Sequence, residues 1–439
     1  MLKQYFKQAW QLIKQNKLFS SIYVAGTALA ISMVMVIAIF FYLITGKIYP
    51  ELERNKLLYV KVAEITPKDT TKRSNSSSTL SLQTVKNCFY NLQSPEAVSA
   101  SLFTFKENYK VRVSGSTIDR KVHVKYTDAN FWKVYQFRFL EGRPFSQEEF
   151  DSAIPSAVIS ESLSQYLFPD GQATGKHLIM NEKEYRVSGV VKDGSYLLSE
   201  SFAHIWLPYT LHPNHAETFS RDNILGNITV VILMKNSGDT RTVSDEIHTN
   251  IQQYSANLTQ NINLLGQPDN TFASYFRLGN SPLDINDILL KFAFVLLIFM
   301  LVPAINLSGL NSGRMEKRLA EMGVRKAFGA PNITLLNQIL IENFLLTLIG
   351  ALVGLLISYL LVILFNDMFL SGFSVLASDM DVITGSNTSG ISPGMLINFT
   401  VFFWALVAAL IINTLSAIIP AYRFTKKNIT DSLSENYTH

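Results

Sequence analysis

Residues 18–46 read LFSSIYVAGTALAISMVMVIAIFFYLITG, without a single Asp, Glu, Lys or Arg. About 20 apolar residues cross the hydrocarbon core of a bilayer, so this run is long enough even when tilted. A signal-peptide core is shorter, roughly 7–15 residues, and no small-residue cleavage site follows promptly, so removal is not expected. Three further charge-free runs lie at Phe292–Asn311, Phe344–Phe365 and Ile391–Tyr422. Ser281-Pro282 and Asp284 precede the second as an N-cap, a first-turn proline and a capping acid. Ser392-Pro393 and Pro420 bound the fourth.

These runs explain the composition. The 439 residues are 48% hydrophobic but only 16% charged, with mean hydropathy +0.18, whereas soluble domains carry about a quarter charged residues. An ordinary soluble enzyme, a disordered chain and a disulfide scaffold are excluded, the last because Cys88 has no second cysteine to bridge to. The net charge of +4 is too small and too scattered for a nucleic-acid binder.

Orientation follows from the lysines and arginines of the short segments. Lys3, Lys7, Lys14 and Lys17 precede the first run; Arg314, Lys317, Arg318, Arg325 and Lys326 separate the second from the third; Arg423, Lys426 and Lys427 follow the fourth. Residues 366–394 have no basic residue and carry Asp367, Asp379 and Asp381. The sequence therefore predicts an α-helical membrane protein with four transmembrane helices (19–46, 285–311, 334–365 and 395–421) and a large mixed α/β extracytoplasmic domain (47–284) between the first two. Both termini (1–18 and 422–439) and the segment 312–333 are expected in the cytoplasm, and 366–394 outside. Leu2, Tyr5, Phe6, Ala9, Trp10 and Ile13 fall at helical spacing opposite a Lys/Gln face, as in an interfacial helix on anionic lipid; an ordinary basic flank is the plainer alternative.

In the outer block, LLYVKVAEI (57–65) and KVHVKYT (121–127) read as strands, 66–79 as a Ser/Thr-rich loop, and 80–93 and 240–258 as helices. Tyr185, Val187, Gly189 and Val191 alternate with polar residues, giving one buried strand face. Candidates for chemistry are weak. His212 and His215 in HPNHAE lack metal-ligand spacing and suit a solvated loop. Ser160 and Ser162 lack a Gly-x-Ser-x-Gly elbow. Asp379 and Asp381 suit a solvated loop rather than an acid/base pair. Gly171-Gln-Ala-Thr-Gly175-Lys176-His177 has one residue too few for a phosphate loop and His where Ser or Thr would hold magnesium. No metal or cofactor site is expected in this chain.

After the second run, Met315, Leu319 and Met322 recur at helical spacing among Arg314, Lys317, Arg318, Glu321 and Arg325. Gly329 is placed to stop that helix and Pro331 to start the next. The residues alone leave open whether a cytoplasmic partner grips this helix or it lies solvated at the interface. Gly350, Gly354 and Ser358 form a small-residue stripe on the third run, as Gly26 and Ala30 do on the first; such stripes let helices approach in lipid, though glycine is common in membrane helices generally.

The run Glu321-Met-Gly323-Val-Arg325-Lys-Ala-Phe-Gly329-Ala330, followed by Gln338 and Glu342 on a long helix, resembles the FtsX/MacB permease signature. Gly142-Arg143-Pro-Phe145, VISESLSQYLF (158–168), Gly175-Lys176 and YRVSGVVKD (185–193) are similar to the periplasmic core domain of MacB-type transporters, and Pro420-Ala421-Tyr-Arg423 to the family's C-terminus. The resemblance implies a non-catalytic permease subunit of the bacterial inner membrane, standing alone rather than fused to an ATPase. Its implied partners are an ABC ATPase that binds ATP and magnesium, a second permease subunit, membrane lipids and, in some systems, a periplasmic adaptor or outer-membrane channel. Arg314, Lys317, Arg318, Leu319, Glu321, Met322, Gly323, Arg325 and Gly329 would couple to the ATPase. The implied function is export or extraction of a peptide, lipoprotein or antimicrobial by mechanotransmission. An FtsX-like signalling permease that activates a cell-wall hydrolase is the alternative, and a membrane-anchored enzyme lacks a convincing catalytic group.

Overall fold

The computed structural model describes the chain except residues 1–9, 12–13, 16, 70, 72–74, 105–108, 114–118, 278, 318, 365–398 and 427–439. It divides into two units. One comprises residues 1–42, 286–366 and 393–439, the other 43–285 and 367–392. The expected interfacial segment lies mostly outside the described residues, as does all of the loop 366–394.

In chain order the elements are α1 (Lys17–Thr45), β1 (Leu57–Val60), β2 (Ala63–Pro67), β3 (Ser76–Leu80), α2 (Leu82–Cys88), β4 (Ala97–Leu102), β5 (Tyr109–Val113), β6 (Arg120–Val122) and β7 (Val124–Thr127). Then come α3 (Phe131–Val134), β8 (Phe139–Gly142), α4 (Gln147–Asp151), β9 (Ser156–Ser160), α5 (Glu161–Leu167), β10 (His177–Met180), β11 (Lys183–Val191) and β12 (Ile205–Pro208). The sheet unit closes with β13 (Leu225–Gly226), β14 (Ile228–Leu233), α6 (Thr240–Ala256), β15 (Gln260–Asn263), β16 (Asp269–Asn270) and α7 (Thr271–Phe276). Long helices follow: α8 (Ile285–Lys317), α10 (Asn332–Leu364) and α11 (Phe399–Lys426), with the short α9 (Leu319–Ala327) between the first two.

The strands form one mixed sheet along the order β15-β2-β3-β14-β4-β7-β12-β9-β11-β10-β5-β6, and off that path β1 pairs with β14 and β16, β13 with β3 and β8 with β11. Most pairs are antiparallel, but β9 runs parallel to β11 and β12 parallel to β7. The alternation in β11 does bury Tyr185, Val187, Gly189 and Val191. An aromatic core built on Trp206 fixes the sheet: its ring lies 5.2 Å from Phe137 and its indole N–H donates to the Ser201 carbonyl. Buried indole needs such an acceptor, so the interaction sets orientation as well as burial. Near the start of the unit, Arg54 pairs with Glu51 and donates to the carbonyls of Leu43, Ile44 and Gly46, satisfying acceptors that the end of α1 leaves open.

Several local readings change. LLYVKVAEI (57–65) is two strands, β1 and β2, interrupted at Lys61-Val62. Residues 76–79, read as loop, pair as β3 with β2 and β13, because a neighbour strand supplies ladder partners that a serine run lacks on its own. KVHVKYT breaks at His123, whose N–H donates to the His204 ring and whose carbonyl accepts from His204 N and Ile205 N. Helix α8 begins at Ile285, so Ser281 and Pro282 stand outside it and Asp284 immediately precedes it. Pro420, expected to end the fourth helix, lies within α11.

Candidate coupling segment and helix contacts

Helix α9 ends for a defined reason. Gly329 adopts φ +86°, its N–H donates to the Lys326 carbonyl, and the Ala330 N–H reaches back to the Arg325 carbonyl. These are the two bonds of a Schellman stop, and they require a left-handed residue where glycine carries no penalty. The Pro331 carbonyl then accepts from Thr334 and Leu335, opening α10. The result is a short helix held between two long ones by a tight elbow.

The faces of α9 differ. Gly323 is buried, while Val324 and Phe328, one turn apart, are exposed, Phe328 at 89%. Arg325 does not point away with them: its Nη1 donates to Gln338 Oε1 on α10 across 2.7 Å. Arg314 and Lys317 belong to the end of α8, and Leu319, Glu321 and Met322 to α9; their side chains, and Arg318 altogether, lie outside the described residues. The sequence named Gln338 and Glu342 without a role. Both are buried, at 5% and 2% exposure, one turn apart on α10. Val324 and Phe328 escaped the sequence reading because helical spacing placed the apolar stripe on Met315, Leu319 and Met322.

Higher on α10, the glycine stripe meets α1. A Cβ at Gly350 would stand 2.8 Å from Thr27 Cβ, and one at Gly354 2.6 Å from the Ala28 carbonyl oxygen. Ser358 is fully buried and donates to the Leu355 carbonyl at 2.7 Å. On α1 the buried face is Thr27, Ala28 and Ile31, whereas Gly26 and Ala30 are half-exposed. Without a hydrophobic drive between helices in lipid, close approach through small residues is what association rests on.

Among the described residues, the sheet unit offers no comparable chemistry. The phosphate-loop lookalike is already filled: Ala173 N, Thr174 N and Thr174 Oγ1 all donate to Glu141 Oε2. Lys176 lies over the Phe168 ring. Ser160 Oγ accepts from Leu163 N at the start of α5, and Ser162 donates to Asp193. His212, read as part of a solvated loop, is buried with its ring against Tyr126 at 4.8 Å. Among the described residues no cluster of His, Cys, Asp and Glu suits a metal. Burial pushes the Cys88 thiol up to about 12, away from thiolate reactivity. Asp128 is driven up to about 6 by burial, against donors from Ser99, Tyr90, Ala100 and Phe131; with its partners all spent on the chain, it is an anchor for the turn after β7.

The family model of the MacB-like periplasmic core domain matches residues 20–250, more than half of the chain. The chain belongs to the FtsX/MacB permease family. The FtsX-like permease C-terminal model matches residues 293–429, so both halves of this permease are accounted for in order. The macrolide export ATP-binding/permease protein MacB of Aggregatibacter actinomycetemcomitans is 27% identical over 283 residues, 61% of this chain and 41% of that protein. This permease thus spans less than half the length of that relative. The uncharacterized ABC transporter permease YknZ of Bacillus subtilis is 22% identical over 295 residues, 67% of this chain and 70% of the relative. The crystal structure of the periplasmic region of MacB from Actinobacillus actinomycetemcomitans aligns with 46% of this chain and 88% of that one, at 14% identity and a TM-score of 0.33.

Proposed function

We propose that this permease is the membrane subunit of a MacB-type ABC transporter, with four spans, cytoplasmic termini and its sheet unit outside the inner membrane. An ABC ATPase docks on α9, and ATP-driven displacement of that helix moves the spans and the outer domain to export or extract a peptide, lipoprotein or antimicrobial. The cell-wall-hydrolase alternative has no structural observation in its favour.

The observation that carries this reading is the exposed apolar pair Val324 and Phe328 on a short, firmly stopped helix bordered by basic residues. A bare phenylalanine at the end of such a helix suits insertion into a hydrophobic groove of a partner. The four-span reading is supported by large apolar side chains exposed along each long helix: Leu29 and Phe41 on α1, Phe294 and Ile305 on α8, Leu356 and Leu360 on α10, Phe403 and Trp404 on α11. Lipid accepts such a surface and water does not. Helices α1 and α10 also have the length and hydropathy of spans, and the 33 residues of α10 extend roughly 50 Å, beyond the ~30 Å hydrocarbon core.

The test is purification of the full chain from its native membrane. An ABC ATPase should co-purify with the wild type and be lost with Phe328→Asp and Met322→Asp, while membrane insertion stays normal. Undiminished ATPase recovery with both variants would remove the coupling assignment.

A further inference from the structure

The elbow between α9 and α10 is closed twice by one residue. The Arg325 carbonyl accepts the Ala330 N–H that completes the helix stop, and the Arg325 guanidinium crosses to Gln338 on α10. Gln338 is buried, and with its Oε1 engaged by the guanidinium its Nε2 finds no acceptor among the described residues; nor does the buried Asn343 Nδ2, five residues on. A buried amide left half-satisfied is costly, so Gln338 holds its place through the bond its oxygen makes. That bond involves a full positive charge and exceeds a neutral pair in strength.

We propose that Arg325 is a positioning residue, locking α9 to α10 through Gln338 so that the two move as one body. The proposal rests on the transporter reading above and deepens it. The ATPase pushes on the exposed side of α9, at Val324 and Phe328; Arg325 passes the displacement to Gln338; and α10 carries it to α1 through Gly350 and Gly354. Arg325 acts within the permease and Phe328 at the partner. Coupling along such a path is read by a double-mutant cycle.

The experiment uses the full chain in nanodiscs with the ABC ATPase that co-purifies with it. Arg325→Ala and Gln338→Ala should each leave ATPase recovery at the wild-type level while lowering ATP turnover per bound ATPase about tenfold, the scale of a lost charged hydrogen bond. The double variant should be no worse than either single one, and Arg325→Lys combined with Gln338→Glu should restore turnover. Loss of ATPase recovery with Arg325→Ala but not Gln338→Ala would overturn the proposal, placing Arg325 at the partner while leaving the transporter reading intact. Additive losses in the double variant would overturn it too. A second readout needs no ATPase: the distance between spin labels at Ala327→Cys and Leu352→Cys. Broadening of that distance in Arg325→Ala and Gln338→Ala supports the lock, and an unchanged distribution removes it. Failure of the wild type to recover any ATPase would sink the transporter reading, and the spin-label distances would still decide the contact.

Discussion

Gly354 faces Ala28 so closely that a methyl group built on its α-carbon would stand 2.6 Å from the Ala28 carbonyl oxygen. That oxygen belongs to helix backbone and cannot swing aside, unlike the end of a flexible side chain. The small-residue stripe on α10 is therefore a matter of steric necessity at this point, and it leads to a first prediction. Gly354→Leu should force α1 and α10 apart and cost about 1–3 kcal/mol, the usual scale of overpacking. The detergent-purified chain should show a lower Tm, with the amount inserted in the membrane unchanged. Leu352→Ala, on an exposed side of the same helix, is the control and should leave Tm alone. Equal behaviour of the two variants would remove the packing argument.

A similar contact lies in the sheet unit. Gly142 and Gly189 are register partners in β8 and β11. Gly142 has φ +64°, and a Cβ there would fall 2.1 Å from the Ser188 carbonyl oxygen; one at Gly189 would fall 2.7 Å from that of Arg143. Gly142→Ala should destabilise by several kcal/mol, since a strained φ and a backbone clash act together. Pulse proteolysis of the full chain should register this as faster cleavage within residues 47–284. A wild-type cleavage rate would contradict the geometry.

Acid should loosen the same unit through a histidine pair. His204 is held down to about 3 by burial, with His123 and Arg120 adding to it, and His123 to about 4 by burial and Lys125. Unfolded histidine titrates near 6.5, so as pH falls below that value the unfolded chain takes up protons first. Stability attributable to the pair is whole above about pH 6.5 and declines as pH falls toward the native values. Asp128, raised to about 6, works in the opposite direction between that value and the ordinary carboxylate range. A difference measurement isolates the pair. His204→Asn keeps an acceptor for His123 N but cannot titrate, so its Tm should fall less than wild type between pH 7.5 and 4.5. Parallel curves would count against the histidines.

Topology can be read with introduced cysteines, because Cys88 is fully buried and should label little in the folded chain. Cysteines at 120, 200 and 380 should react with an impermeant maleimide from outside, and one at 327 only after the membrane is opened. Labelling of position 380 exclusively from the cytoplasmic side would break the four-span arrangement.

Much of this protein is legible along the chain. Charge-free runs announced the long helices, since no water-facing helix can dispense with polar residues over such lengths. Period-two alternation exposed the buried face of β11. Gly329 and Pro331 marked the stop and restart around α9, because φ +86° and a missing N–H are properties of single residues. Local chemistry is written locally.

Tertiary structure decided the rest. Residues 76–79 became a strand because β2 and β13 lie beside them, and nothing in a run of serines encodes that neighbour. The partners of Gly350 and Gly354 turned out to be Thr27 and Ala28, while Gly26 and Ala30 stand half-exposed; helix rotation is set by which side chains interlock across the contact, and spacing along one helix cannot reveal it. Arg325 offered itself in sequence as an intrahelical partner of Glu321 or as a contact to the ATPase. Its guanidinium meets Gln338, thirteen positions later, because the elbow at Gly329 folds α10 back within reach. A side chain's partner is fixed by distance in space, and that distance exists only once the chain has turned.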